Sequence, residues 1–360
     1  MTSTTLPTST PTGPVSAPAP RPTTTRAAVL HGAGDLRTTE LPIPALGPDD
    51  VLIQVAAVGV CGSDMHYFAH GRNGTNVLRQ PTVLGHEAAG TVVAAGAAAP
   101  VAVGTAVAVE PAVGCGTCRT CREGDYNVCP TGRCFGSPPT HGVMTQYLLA
   151  PARAVHPLPD EIDPITGALI EPLAVAVWAV RRAQVGLGHR VLVTGAGPIG
   201  LLVAQVARAA GAAEVTVTDV NDDRLAVAAA LGATHTRNTR TAPLVEEPTY
   251  DRVLDCTGVP AVVWSAIRTV RPHGRVTVVG QAAPTVDGLP LGYLQRYEID
   301  LVTAFRYAHA FPTAIALAAS GAVDITRLIT GRFPLDQAAL AVQAPGTDPR
   351  HLKVLVLPQS

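Results

Sequence analysis

From Arg26 to about Pro159 the chain alternates short, valine-rich apolar runs with Gly, Pro and Asp; Val51–Val58, Ala88–Ala95 and Thr105–Val109 are examples. Short apolar runs with frequent turn residues predict the strands of an all-β barrel or sandwich-like unit. Near Gly186 the pattern changes. Arg190–Thr194 reads as a buried strand, a Gly-rich turn follows, and Ile199–Ala210 carries a long helical pattern. Glu214–Thr218, Arg252–Asp255 and Arg275–Val279 predict further strands, with Arg224–Leu231 helical between the first two. Strands alternating with helices predict a parallel sheet with crossover helices. After Ala308 a helical stretch, Phe311–Ala319, leads to a last β-like run, Leu352–Leu357. There is no internal repeat.

A chain of 360 residues exceeds one compact core and suggests two domains. Hydrophobic residues make up 47% and charged residues 15%, which leaves ample apolar material to bury. The formal net charge of −1 gives no electrostatic footprint for nucleic acid or an anionic membrane. The basic charge is almost entirely arginine, and Lys353, the only lysine, reads as a trace of that compositional bias. No apolar run is long enough to span a bilayer. Residues 1–25 are mostly Thr, Ser, Pro and Ala, which predicts a disordered extension without the features of a signal peptide. A cytoplasmic location is the resulting expectation.

Gly195-Ala196-Gly197-Pro198-Ile199-Gly200 lies between a predicted strand and a predicted helix. Glycine permits the tight turn at Gly195, close approach of a pyrophosphate at Gly197, and close packing of helix on strand at Gly200. The phosphates would meet the free amides of the helix N-terminus. Asp219 closes the next strand about 20 residues on, where an acid accepts bonds from ribose hydroxyls and repels a 2′-phosphate. That favours NAD over NADP, although Arg224 close by would tolerate the extra phosphate. The competing reading makes Asp219 a helix cap.

Two sets of residues have metal-ligand chemistry. Cys61, with His86 and Glu87 some 25 residues on, supplies a thiol, an imidazole and a carboxylate, a ligand set for zinc that leaves a position open. An open zinc acts as a Lewis acid. The second set is Cys115-x2-Cys118-x2-Cys121-x7-Cys129, whose spacing predicts a closed, structural all-sulfur zinc site in a lobe spanning residues 114–130. An iron–sulfur cluster and a nucleic-acid-binding knuckle are the alternatives, the latter weakened by the few arginines nearby. Cys134 and Cys256 read as buried small hydrophobes.

These features in this order resemble the zinc-dependent medium-chain dehydrogenase/reductase superfamily, and within it the polyol (sorbitol/xylitol) dehydrogenases. The finer likeness rests on Val58–Tyr67 (VGVCGSDMHY), Pro81–Gly90 (PTVLGHEAAG), Ile170–Ala174 (IEPLA) and Phe305-Arg306-Tyr307. The resemblance implies an α/β fold: an N-terminal chaperonin-10-like β-barrel catalytic domain plus a Rossmann doubly wound parallel sheet. The expected limits are a catalytic domain over 26–170, an NAD-binding domain over 171–308, and a return to the catalytic domain over 309–360. It implies two zinc ions per subunit, NAD, a small polyol or secondary alcohol as substrate, and a homo-oligomer, expected to be a tetramer.

Motif matching makes Cys61, His86 and Glu87 ligands of the catalytic zinc. Glu171 is a further ligand or the holder of a water on the metal, and a candidate proton carrier. Tyr67, Arg306 and Tyr307 match substrate-contacting positions. Gly195, Gly197, Ile199, Gly200, Asp219, Arg224, Val279 and Phe305 are expected to face the dinucleotide. Ser63 and His66 form the expected proton relay from the substrate hydroxyl through the cofactor ribose to solvent. The remaining histidines are expected to be exposed or locally hydrogen-bonded.

Two features depart from the family. Animal sorbitol dehydrogenases lack the four-cysteine lobe, and His141 stands in a loop where related chains commonly have Asp. Aromatic residues make up only 4%, which suits a polyhydroxylated substrate better than a large apolar one. The rival substrates are L-idonate, 2,3-butanediol, threonine and a simple alcohol. Arg306 would pair a carboxylate as readily as hydroxyls. A non-catalytic zinc- and NAD-binding sensor is the rival from another class.

Overall fold

The computed structural model describes residues 21–282 and 287–360. Its six-stranded sheet runs in the spatial order His235–Asn238, Glu214–Asp219, Arg190–Thr194, Tyr250–Asp255, Val270–Val278, Asp300–Thr303. Every neighbouring pair is parallel. The order reverses beside Arg190–Thr194, so the crevice beyond the carboxyl ends of that strand and Tyr250–Asp255 is where a doubly wound sheet takes its ligand. Val191, Leu192 and Val193 are all fully buried, because helices cover both faces.

The β unit centres on a seven-stranded sheet in which Asp50–Gly59 pairs antiparallel with Glu87–Ala95. The chain returns to this sheet at its end, where Lys353–Leu357 pairs with Asp50–Gly59 and with Ile329–Pro334. A three-stranded sheet places Thr24–Gly32 between Asp35–Pro42 and Thr82–Val83.

The extension expected over residues 1–25 stops earlier. Thr24 and Thr25 begin the strand Thr24–Gly32, Thr25 is buried, and its hydroxyl lies 2.7 Å from that of Thr145 and accepts the Tyr147 amide at 2.9 Å. A β-branched residue with a partnered hydroxyl belongs in a sheet. The rest of that expectation, over residues 1–20, lies outside the described residues.

The expected boundary between 170 and 171 falls at the first residue of one helix, Ile170–Ala183. Ten of its 14 residues are buried, and only Val175, Trp178, Arg181 and Arg182, on one face, are less so. It shares a core with Ala57, Ala89 and Ala108 of the β unit and with Val191 and Val193 of the parallel sheet. The two units therefore meet through a continuous apolar layer. No helix among the described residues is long and apolar enough to cross a membrane.

Candidate active site

Strand register assembles the first cluster. Gly59 and Glu87 are cross-strand partners, so the residues that follow one strand and precede the other meet at one end of the sheet. A side chain at residue 59 would lie 2.0 Å from Glu87 Oε2, which requires glycine there. Cys61 is the N-cap of the helix Gly62–His70, with extended backbone. The donor atoms of Cys61, His86 and Glu87 lie within 4.8 Å of one another.

Asp64 ties the two loops together. Its Oδ2 accepts the Cys61 amide and its Oδ1 the Gly85 amide, each at 3.0 Å, and Oδ1 stands 4.0 Å from His86 Nδ1. Burial raises the Asp64 pKa, against the pull of His86. Sequence reasoning missed this role. The available signal was an acid at the third helical position, where it reaches back to the N-cap amide.

The cluster is rich in negative charge. Burial works against a charged His86, but Cys61, Asp64 and Glu171 outweigh it and raise the His86 pKa well above the ordinary value. Lys353 answers the charge of Glu87: its Nζ lies 2.7 Å from both Glu87 oxygens and 3.0 Å from the Val60 carbonyl. The Coulombic pull of Glu87 outweighs the effect of burial and raises the lysine pKa. Uncompensated buried anions are costly, so a thiol, an imidazole and clustered carboxylates fit a divalent cation.

Glu171 stands outside the three-donor cluster. Its Oε1 accepts the Tyr307 hydroxyl at 2.7 Å, and burial pushes its pKa up to about 7. A cation on Cys61, His86 and Glu87 would bring that value down again. Tyr307 is fully buried and reaches the site through Glu171. Tyr67 is also buried, with its hydroxyl accepting from Asn76 Nδ2 at 2.9 Å. Arg306 is half-buried, stacks 4.8 Å from the Phe305 ring centre and donates to Ser137 Oγ at 3.4 Å. Ser63 is half-buried in the first helical turn, and His66 is exposed, sharing a cleft with His70, Arg72 and Gln281. His141 accepts the Val83 amide at 3.1 Å, a structural use of that side chain.

The four cysteines also converge within 4.8 Å. Cys115 Sγ is 4.0 Å from Cys121 Sγ, and Cys118 Sγ is 3.7 Å from Cys129 Sγ. A tetrahedron with metal–sulfur bonds near 2.3 Å has edges of about 3.8 Å, so the donors fit one zinc ion. Hydrogen bonds, chiefly from Thr117, lower the Cys115 pKa to about 5, while burial raises that of Cys121 to about 11.

In the parallel sheet, Gly195 has φ +92°, and a side chain at Gly200 would lie 1.8 Å from the Gly195 carbonyl oxygen. At Gly197 the corresponding space is open, which leaves the backbone accessible to a phosphate. Asp219 accepts the Ala196, Val220 and Asn221 amides at 2.7 to 3.0 Å, fixing its carboxylate at the mouth of a cavity of about 470 Å³. The buried Arg224 Nε has no hydrogen-bond partner, an orphaned donor that fits a bound anion or ribose. Val279 continues the sheet pattern, its amide bonding the Asp255 carbonyl at 2.8 Å, while Phe305 is exposed. Asp255, also missed from sequence, is fully buried and accepts from Thr194, Thr257 and Gly258, so it shapes both loops at the crevice.

A doubly wound sheet with an open glycine turn, set beside a three-donor metal cluster, defines a metal- and dinucleotide-dependent oxidoreductase. Residues 47–160 match the family model for the alcohol dehydrogenase GroES-like domain, and 198–320 that for zinc-binding dehydrogenases. Sorbitol dehydrogenase of Bacillus subtilis (strain 168) is 39% identical over 348 residues, covering 94% of this chain and 98% of its own. The crystal structure of L-idonate 5-dehydrogenase from Escherichia coli K-12 superposes with a TM-score of 0.89 at 30% identity, covering 93% and 98% of the two chains. A protein from Sinorhizobium meliloti 1021 solved with NADP gives a TM-score of 0.87 at 31% identity, covering 93% and 99%. The chain belongs to the zinc-dependent medium-chain dehydrogenase/reductase superfamily, with a GroES-like domain and a Rossmann sheet, and is an NAD(P)-dependent zinc alcohol dehydrogenase.

Proposed function

We propose that the enzyme oxidises a secondary hydroxyl of a sugar alcohol to a ketone, with NAD as acceptor. The observation that carries the substrate class is Arg306, whose guanidinium projects toward Ser137 as the half-exposed member of the predicted substrate set. An arginine beside hydroxyl-bearing side chains suits a substrate with hydroxyls beyond the reacting carbon. The likeness to relatives named for sorbitol and L-idonate supports the same class. For the acceptor, the Asp219 carboxylate opposes a 2′-phosphate.

Cys61, His86 and Glu87 would hold the catalytic zinc, and Cys115, Cys118, Cys121 and Cys129 the structural one. A bound zinc would supply Lewis acidity that eases loss of the hydroxyl proton, and a bound nicotinamide would supply the hydride acceptor. Ser63 receives that proton and passes it toward His66, whose exposed ring exchanges it with water. Glu171, held by Tyr307, provides the second proton route, and Tyr67 lines the substrate side. Gly195, Gly197, Ile199 and Gly200 cradle the pyrophosphate, with Arg224, Val279 and Phe305 along the rest of the dinucleotide. The catalytic unit is assigned to 24–170 and 309–360 and the NAD-binding unit to 171–308. A tetramer in the cytoplasm belongs to the same reading, supported by the family resemblance.

The test is NADH or NADPH formation from sorbitol, xylitol, ribitol, L-idonate, 2,3-butanediol and ethanol. The expected result is NAD-dependent turnover fastest on a polyol, absent in Cys61→Ser, with NAD binding retained in that variant. Turnover confined to ethanol or butanediol would refute the polyol assignment. A preference for NADP would refute the role of Asp219.

A further inference from the structure

The four-cysteine lobe grips the segment that carries Arg306. The short turn Tyr126–Val128 lies between Cys121 and Cys129. Asn127 Nδ2 donates to the Phe305 carbonyl at 2.9 Å. The Tyr126 hydroxyl accepts the His309 amide at 2.8 Å and donates to Glu110 Oε1 at 2.6 Å. Glu110 is itself buried and lies 2.7 Å from His156 Nε2, so this anchor is rooted in a buried hydrogen-bonded network rather than in solvent. His309 Nε2 also meets the Gly124 carbonyl at 3.1 Å.

The two anchors bracket Arg306 and Tyr307. Arg306 and His309 both adopt left-handed backbone conformations, with φ of 50° and 52°. Side chains other than glycine resist that region, so the segment keeps its shape only while its surroundings hold it. The anchors supply that hold at both ends, one on the carbonyl just before Arg306 and one on the His309 amide. Between them Tyr307 is tied to Glu171.

We infer that Tyr126 and Asn127 are positioning residues that hold Arg306 over the substrate, so that the four-cysteine lobe governs polyol recognition from outside the reacting centre. The inference rests on the contact between Arg306 and substrate proposed above. A monohydroxy substrate has no remote hydroxyl for Arg306 to meet. Loosening the segment should therefore penalise a polyol and spare a simple secondary alcohol, a split that general destabilisation does not produce.

The experiment compares Tyr126→Phe, Asn127→Ala, Arg306→Ala and the double variant Tyr126→Phe/Arg306→Ala with the unaltered holoenzyme, after zinc content and folding are checked. Steady-state kinetics are measured on sorbitol and on 2-butanol, and amide hydrogen exchange is followed in peptides covering residues 304–310. Loss of one buried hydrogen bond corresponds to roughly a tenfold effect. The expected result is about tenfold faster exchange in that segment for Asn127→Ala, which loses one such bond, and at least about tenfold for Tyr126→Phe, which loses two. The sorbitol kcat/KM should fall about tenfold, mainly through KM, with 2-butanol within twofold of its original value. The double variant should be no worse than Arg306→Ala alone, because both changes remove the same contact.

A parallel fall on both substrates, unchanged exchange, or additive losses in the double variant would overturn the inference. So would a raised sorbitol KM in Arg306→Ala alongside unaffected clamp variants. If Arg306→Ala itself leaves sorbitol kinetics unchanged, the substrate contact is what fails. The exchange data then show separately whether the clamp holds the segment.

Discussion

Lys353→Met isolates the charge balance of the catalytic cluster. The lysine and Glu87 side chains are 4% and 1% exposed, and Nζ reaches both carboxylate oxygens at 2.7 Å. Removing the ammonium leaves a carboxylate buried beside Cys61 and Asp64 without its counter-charge. Breaking one side of a buried pair costs about 3–5 kcal/mol, whereas replacing both sides is often neutral. At about 2 °C per kcal/mol for a large domain, the metal-free Lys353→Met protein should melt roughly 6–10 °C below the unaltered protein. The double variant Lys353→Met/Glu87→Gln, which leaves no bare charge, should recover most of that loss. Thermal unfolding by circular dichroism in chelator, at a fixed scan rate because large proteins unfold irreversibly, reads the effect. Repeating the scan with zinc should shrink the deficit, because a cation on the cluster replaces the lost counter-charge. The reasoning is refuted if the metal-free single variant melts within 1 °C of the unaltered protein, or if the double variant is the less stable of the two.

Asp64→Asn keeps the shape but offers one acceptor oxygen where two backbone amides now bond, so zinc affinity at the catalytic cluster should fall 10–100-fold in a chelator competition. Gly200→Ala puts a methyl 1.8 Å from the Gly195 carbonyl, which should open the turn and abolish NADH binding in a fluorescence titration. Cys118→Ser should lose one of two zinc equivalents by native mass spectrometry and lower the melting temperature, while the catalytic cluster keeps its ion. An unchanged zinc count would remove the structural-site assignment.

Features encoded within a short stretch of chain were legible in the sequence. The glycine turn and the four cysteines each occupy a few neighbouring positions, and the structure brings their atoms together as the spacing requires. The change from short strands to alternating strands and helices was legible too, because period and length differ between the two units. Strand ends were harder. The strand Val270–Val278 begins five residues before the predicted Arg275, because Arg271-Pro272-His273-Gly274 reads as a turn and His273 does have φ of 58°. The helix Ile170–Ala183 escaped notice for the opposite reason: Pro172–Val180 is an unbroken apolar run, and the less buried Val175 and Trp178 are themselves apolar, so no polar residue marks the outer face before Arg181.

The illegible part is the part that depends on register between distant segments. Lys353 read as a compositional remnant, yet it is the buried counter-ion of Glu87, 266 residues away. Nothing near either residue in sequence announces the pairing; it exists because Lys353–Leu357 lies beside Asp50–Gly59, which in turn lies beside Glu87–Ala95. A chain whose basic charge is otherwise arginine uses its one lysine where a compact ammonium bridges two oxygens and a carbonyl in a buried space. A planar guanidinium is bulkier and presents its donors in a fixed fork. Geometry therefore explains this lysine better than composition does. The same holds for the strap at Phe305–His309, whose left-handed residues carry no glycine signal and are legible only once the lobe that grips them is in view. Long-range contacts of this kind set the charge around the cluster and the path of the strap, while the local motifs supply the candidate ligands.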